Sequence, residues 1–229
     1  MLIILPFVLI ASFFGKVRGG NIIYKLCRFW ADGCLVFWGI RHQVIYEAPH
    51  NTRHPNIFVF NHNSYMDIPE MMVAIKQNFR ALGKSEMTKI PLFGFIYRNA
   101  VVTVERGSAE NRAKSVETLK SILKKNISVA IAPEGTFNMS NKPLKEFYDG
   151  AFKIAIETQT PIKPLIFLDA VDRLHYKSIF SFKPGKLRTV FLEEVKTEGL
   201  GNEDIQELKQ KVYAMMESAL VRYKASWIQ

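Results

Sequence analysis

Apolar and polar positions alternate with one rhythm before about residue 43 and another after it. Residues 1 to 14, MLIILPFVLIASFF, form an uninterrupted apolar run, followed by Gly15, Lys16, Val17 and Arg18 and then by the breakers Gly19 and Gly20. Residues 21 to 40 are again rich in Ile, Leu, Phe and Trp, but Lys25, Arg28 and Asp32 recur at helical spacing, which predicts an amphipathic helix. Beyond residue 43, short β-branched or aromatic runs alternate with longer mixed stretches, the pattern of an α/β domain. The runs predict strands over 43–47, 56–60, 79–83, 100–105, 127–132, 162–168 and 188–194. Helical periodicity marks 67–77, 108–125 and 147–158, and a mostly parallel sheet flanked by helices follows. From Asn202 onward, Ile205, Leu208, Val212, Met215, Ala219, Leu220 and Tyr223 share one side of a long helix, an apolar stripe for packing.

The first fourteen residues would reach roughly 21 Å as a helix, short of the roughly 30 Å of hydrocarbon that a spanning helix crosses. No basic segment precedes them, as a secretory signal would require, and no small-residue cleavage pattern is clear. A buried core helix and a shallow, tilted transmembrane pass are the other readings. Two apolar segments in tandem, joined by a glycine pair and marked by Trp30 and Trp38, predict a helical hairpin that sinks into one leaflet. The expected division is therefore a membrane-associated segment at 1–40 and one α/β domain at 41–229, on the cytoplasmic face of a bilayer.

With 229 residues, 48% of them hydrophobic, the chain suffices for one domain with its own core. The net charge of +10 favours anionic partners, and nucleic acid and anionic lipid satisfy it equally. The distribution decides: basic residues are dispersed, aromatics sit in apolar runs and no groove-reading motif is present, so nucleic acid is not an expected partner. Cys27 and Cys34, the only cysteines, would lie roughly 10 Å apart along one helix, too far for a disulfide.

The predicted strand 56–60 runs directly into Asn61-His62-Asn63-Ser64-Tyr65-Met66-Asp67, followed by Ile68-Pro69. On a regular helix His62 and Asp67 would point about 140° apart, so they meet only if His62 lies in the turn. Pro69 suits a first helical turn, which puts the helix start at Asp67 or Ile68 and aims a carboxylate back at the imidazole. A carboxylate on one ring nitrogen leaves the other free to take a proton from a substrate hydroxyl. Taken alone, the pair also reads as a satisfied turn histidine and an N-cap. A second polar turn, Ala132-Pro133-Glu134-Gly135-Thr136-Phe137, ends the strand at 127–132, and it too could be an ordinary turn.

In order and spacing these residues resemble the 1-acylglycerol-3-phosphate acyltransferases and related glycerolipid acyltransferases, a family recognised by four sequence blocks. The first is similar to Asn61-His62 through Asp67, the second to Phe93-Gly94 leading to Val102-Thr103-Val104-Glu105-Arg106, the third to Glu134-Gly135-Thr136 and the fourth to Pro161-Ile162-Lys163-Pro164-Leu165. The resemblance covers about residues 40 to 170 and includes the contexts of Lys84 and Gly150. It implies a glycerolipid-acyltransferase-like fold, with His62 as general base and Asp67 as its orienting partner. It also implies substrate contacts from Arg106, Glu134, Gly135, Thr136 and Lys84, with Arg106 on an acceptor phosphate. The family commonly has a basic residue directly after its Glu-Gly-Thr block; this chain has Phe137, so one expected phosphate contact is absent.

The reaction so implied moves a fatty acyl group from a coenzyme A or acyl carrier protein thioester to a lysophospholipid hydroxyl, forming phosphatidic acid from 1-acylglycerol-3-phosphate. Another lysolipid, such as a lyso-aminoacyl lipid, is the alternative acceptor, and a non-catalytic lipid-binding scaffold is the alternative role. Backbone N–H groups near Gly135, or in the turn after His62, are candidate oxyanion donors. No resident cofactor or metal is called for, since neither a coherent ligand set nor a phosphate-cradling glycine loop is visible. Ile90 to Tyr97 is a candidate wall for the acyl chain, or else core packing.

Overall fold

The computed structural model describes residues 3–104 and 108–228. All seven predicted strands form, as β1 (Ile40–Tyr46), β2 (Ile57–Phe60), β3 (Phe79–Lys84), β4 (Val101–Val104), β5 (Ser128–Ile131), β6 (Ile162–Phe167) and β7 (Gly185–Phe191). They make one sheet in the order β1-β7-β6-β2-β5-β3-β4. The five strands from β6 to β4 are mutually parallel, whereas β7 runs antiparallel to β6 and carries β1 beside it in parallel. The helices are α1 (Leu5–Ser12), α2 (Gly20–Phe37), α3 (Asp67–Ala74), α4 (Phe93–Ala100), α5 (Ala109–Leu123), α6 (Gly150–Thr158), the short α7 (Ala170–Arg173) and α8 (Ile205–Arg222).

Strand β2, read from a run of apolar residues rather than from alternation, is buried at every position, as expected of a central parallel strand with helices on both faces. Its pleat sends Phe58 and Phe60 into one apolar cluster with α1, α2, α3 and Ile96 and Ala100 of α4. Ile57 and Val59 enter a second cluster with α5, α6 and α8. Leu208, Val212, Ala219 and Leu220 bury the α8 stripe, joined by Met216. The fourth sequence block lies in the N-terminal half of β6, where Ile162 to Leu165 pair with Ile57 to Phe60. That block is sheet core, running alongside the full length of β2.

At the N-terminus, α2 buries Ile23, Tyr24, Cys27, Ala31 and Leu35 against the first cluster. Phe7, Ile10, Phe13, Phe14, Phe29 and Phe37 are left exposed on α1, α2 and the segment joining them. No helix among the described residues is long and apolar enough to cross a membrane. The glycine pair does not break the chain: Gly15, at φ +76°, is the left-handed residue, and a short π-helical stretch, Gly15–Gly19, leads straight into α2 at Gly20. Gly19 and Gly20 serve close approach instead. A Cβ would lie 2.2 Å from the Ala11 carbonyl oxygen at Gly19, and 2.3 Å from the Arg80 guanidinium at Gly20. Cys27 and Cys34 are free thiols.

Candidate active site

Because β2, β5, β3 and β4 are parallel, their C-terminal ends share one edge of the sheet, where ligands of open α/β folds bind. His62 follows β2, Glu134 follows β5, and Lys84 ends β3 as an exposed side chain. Arg106, with Glu105, lies outside the described residues.

Helix α3 begins at Asp67, so the carboxylate points back into the turn that holds His62. His62 Nδ1 lies 2.6 Å from Asp67 Oδ2, and the same oxygen accepts the main-chain N–H groups of Asn63 at 2.9 Å and Ser64 at 3.0 Å. An oxygen that receives two backbone donors is an acceptor, so Nδ1 carries the ring proton and Nε2 presents its lone pair. Asp67 is 1% exposed, whereas the His62 side chain is 24% exposed, and no described residue hydrogen-bonds Nε2. The turn is pinned from both sides. Asn61 bonds both main-chain groups of Phe167 in β6, at 3.0 and 2.8 Å, and the Ser64 hydroxyl donates to the Leu174 carbonyl and accepts from Met66 N–H.

Glu134 departs from the expectation of a substrate contact. It is 1% exposed, and its oxygens accept main-chain N–H groups on two segments: His62 on Oε1 at 2.9 Å and Lys145 on Oε2 at 2.8 Å. Burial pushes its carboxyl up to about 7, against the pull of those two bonds. Asn138 N–H adds a bond to the His62 carbonyl at 2.7 Å. Glu134 is therefore a splint that fixes the backbone beside the imidazole. Gly135 needs its left-handed φ of +70°, and its N–H closes the turn onto the Ala132 carbonyl at 3.0 Å. With Asn63 and Ser64 N–H engaged by Asp67, these three candidate oxyanion donors are already committed.

Thr136 is exposed, and its hydroxyl accepts from Lys145 Nζ at 2.7 Å. Phe137 packs on the imidazole at 4.4 Å between ring centroids, close to edge-on, and Tyr65 packs on Phe137 at 5.0 Å. The expected acyl-chain wall is divided: Phe93 to Tyr97 are the first turns of α4, where Ile96 is core, whereas Ile90 and Leu92 are exposed before it. One helical turn beyond Asp67, wholly buried Glu70 accepts from the Thr189 hydroxyl at 2.7 Å, and that hydroxyl is 3.1 Å from His42 Nε2. Burial drives the Glu70 carboxyl well above its usual range and holds the His42 imidazole down at about 4. Neither Lys145 nor Glu70 was singled out in the sequence; Glu70 has a signal in retrospect, an acid inside the apolar run of 68–75.

A His–Asp couple with a free Nε2 at the carboxyl edge of a parallel sheet fits hydroxyl activation, and the acyltransferase family profile matches residues 42–168, more than half of the chain. The chain belongs to the acyltransferase family. Among relatives of this acyltransferase, the 1-acyl-sn-glycerol-3-phosphate acyltransferase of Cocos nucifera is 26% identical over 219 residues, which are 94% of this chain and 67% of the relative. The human 1-acyl-sn-glycerol-3-phosphate acyltransferase beta is 27% identical over 187 residues, covering 81% of this chain and 66% of its own. An uncharacterized acyltransferase of Schizosaccharomyces pombe is 29% identical over 168 residues, or 72% of this chain and 60% of that protein. The chain thus spans about two thirds of the length of these relatives. The crystal structure of the 1-acyl-sn-glycerophosphate (LPA) acyltransferase PlsC from Thermotoga maritima superposes with a TM-score of 0.75 over 98% of this chain and 90% of that one, at 23% identity. The fold is shared.

Proposed function

We propose that the protein transfers a fatty acyl group from a coenzyme A or acyl carrier protein thioester to the free hydroxyl of 1-acylglycerol-3-phosphate, yielding phosphatidic acid at a membrane surface. The observation that carries this reading is the His62–Asp67 couple, with Nδ1 fixed on a side chain that is 24% exposed and Nε2 without a hydrogen-bond partner among the described residues. The acceptor hydroxyl hydrogen-bonds Nε2, and its oxygen attacks the thioester carbonyl carbon while the proton passes to the ring. Asp67 stabilises the imidazolium. The tetrahedral intermediate then collapses with cleavage of the carbon–sulfur bond, and the imidazolium proton goes to the departing sulfur, leaving an ester and a free thiol. No nucleophile from the protein is required.

The names of the relatives support 1-acylglycerol-3-phosphate as acceptor. The exposed Phe13, Phe14, Phe29 and Phe37, with Lys16 and Arg18 beside the first two, support residues 1–40 as the segment that meets the bilayer, and a two-tailed insoluble product would leave laterally into it. A second acceptor reading has one observation in its favour. Phe137, where the family commonly has a cation, packs an apolar ring against the imidazole, which suits a lysolipid whose head group is not a phosphate monoester, such as a lyso-aminoacyl lipid.

Acyl transfer from both thioester donors to a panel of lysolipids in bilayers, comparing the unmodified chain with folded His62→Ala, separates these readings. Acylation of lysophosphatidic acid that is abolished in His62→Ala is the expected result. Transfer only to another lysolipid would retain the mechanism and replace the acceptor; no transfer to any acceptor would leave a lipid-binding scaffold.

A further inference from the structure

We infer that Lys145, whose ammonium is held on Thr136 and whose backbone shares Glu134 with His62, binds the phosphate of the acceptor. The inference rests on the proposed lysophosphatidate reaction and names a residue for its specificity. Three observations carry it. First, Lys145 Nζ sits 2.7 Å from the hydroxyl of Thr136, the last residue of the Glu-Gly-Thr block, so a cation reaches that block from nine positions downstream. Second, its backbone is fastened to the site: Glu134 holds Lys145 N–H on one oxygen and His62 N–H on the other, so one buried carboxylate sets both the imidazole and the root of the ammonium. Third, its charge is unspent. Like most lysines of the chain, it pairs with no carboxylate among the described residues, and the partner of its Nζ is the neutral Thr136 hydroxyl. An ammonium has three donors, and two remain for an anion.

Phe137 makes no such contact, since its ring carries neither charge nor donor and packs against His62 and Tyr65. The aromatic edge fills the space beside the base, and the cation enters over Thr136 from the loop before α6. An ammonium gives a point-charge contact rather than the planar bidentate fork of a guanidinium, so a single charge-assisted bond, with roughly tenfold or more in affinity, is the scale to expect.

Steady-state kinetics with lysophosphatidate and with monoacylglycerol, which has the hydroxyls and no phosphate, test the assignment in the full chain. Lys145→Ala is expected to raise the KM for lysophosphatidate about tenfold or more, leaving kcat, the thioester KM and any monoacylglycerol turnover nearly unchanged. Lys145→Arg is expected to retain the low KM, and adding Phe137→Arg to Lys145→Ala to recover part of it. An unchanged lysophosphatidate KM in folded Lys145→Ala, or a rise in the thioester KM alone, overturns the assignment while the reaction stands. If the unmodified chain does not acylate lysophosphatidate, the acceptor reading fails by itself. Equilibrium binding then judges Lys145, and the assignment falls unless lysophosphatidate binds more tightly than monoacylglycerol and Lys145→Ala removes that preference.

Discussion

Glu134 Oε1 accepts the main-chain N–H of His62 at 2.9 Å, so the residue proposed to remove a proton is held in place by a carboxylate that is itself buried. Because Oε2 holds Lys145 N–H in the same way, no isosteric replacement serves both contacts. In Glu134→Gln the amide oxygen can satisfy one N–H and the NH2 group then confronts the other. Leaving one buried donor unpaired costs about 1–3 kcal/mol. The expected outcome is a urea midpoint lowered accordingly, with kcat reduced at least tenfold. Wild-type stability and turnover in Glu134→Gln would refute the splint.

Asp67 predicts a different signature. In Asp67→Asn the turn keeps an oxygen that can receive Asn63 and Ser64 N–H, but the negative charge opposite His62 is lost and the ring tautomer is no longer imposed. A fall in kcat of roughly 10³-fold or more, the scale for disabling the orienting member of such a couple, is expected with little change in lysolipid binding. A loss confined to KM would mean that Asp67 shapes the pocket rather than the base.

The difference between those two carboxylates marks how far the sequence could be read. Asp67 was legible because a strand, a polar turn and a proline in a first helical turn leave few ways for His62 and Asp67 to meet. The central strands were legible because a strand covered on both faces, such as β2, reads as a near-continuous apolar run. Glu134 was read as a substrate contact because a sequence shows that a carboxylate is present and not which N–H groups it faces. Lys145 was not singled out, since it reaches Thr136 across a loop with no periodicity to reveal it. Gly19 and Gly20 were read as breakers, but glycine serves equally where two backbones or a guanidinium come close, and only the Ala11 and Arg80 contacts distinguish the two uses.

Burial of His42 and Glu134 gives stability two opposed dependences on pH. The folded-state pKa of His42 is lowered from 6.5 to about 4, so the unfolded chain takes up its proton first, and the stability this residue contributes is lost as pH falls from about 6.5 to about 4. The Glu134 pKa is raised from 4.5 to about 7, so the folded chain holds its proton longer, and its contribution is lost as pH rises from about 4.5 to about 7. Near pH 5.5 the slopes oppose each other. His42→Gln keeps a donor for Thr189 and removes the first of them, so its urea midpoint is expected to fall less than that of the unmodified chain between pH 6.5 and 4. Parallel curves for the two proteins would contradict the buried neutral imidazole.

Gly94 belongs to the second sequence block, but its requirement is steric. A Cβ there would lie 2.1 Å from the Thr88 carbonyl oxygen, in a 3-10 turn, Ser85–Lys89, closed by the Thr88 hydroxyl on the Ser85 carbonyl at 2.7 Å. That turn directly follows Lys84, so relief of the clash displaces the end of β3 or the start of α4. Gly94→Ala is expected to cost about 1–3 kcal/mol, the usual range for overpacking, as read from urea unfolding. A neutral effect would mean that the turn can retreat without cost.

The exposed aromatics of the N-terminal segment make the proposed bilayer contact testable without disturbing the core. Phe13 is 89% exposed and Phe14 58%, so replacing both by Ser removes little packing in the folded chain. Transfer of one Phe side chain from water into lipid contributes roughly 1.5–3 kcal/mol, and Lys16 and Arg18 next to them add attraction to an anionic surface. Phe13→Ser/Phe14→Ser is therefore expected to bind anionic phospholipid vesicles at least tenfold more weakly at an unchanged urea midpoint. Its acyl transfer is expected to fall on bilayer-embedded lysolipid and to persist on lysolipid dispersed in detergent micelles. If vesicle binding is unchanged, this aromatic surface is not what holds the enzyme to its substrate. If binding falls and bilayer turnover does not, the acceptor reaches His62 without the enzyme being docked.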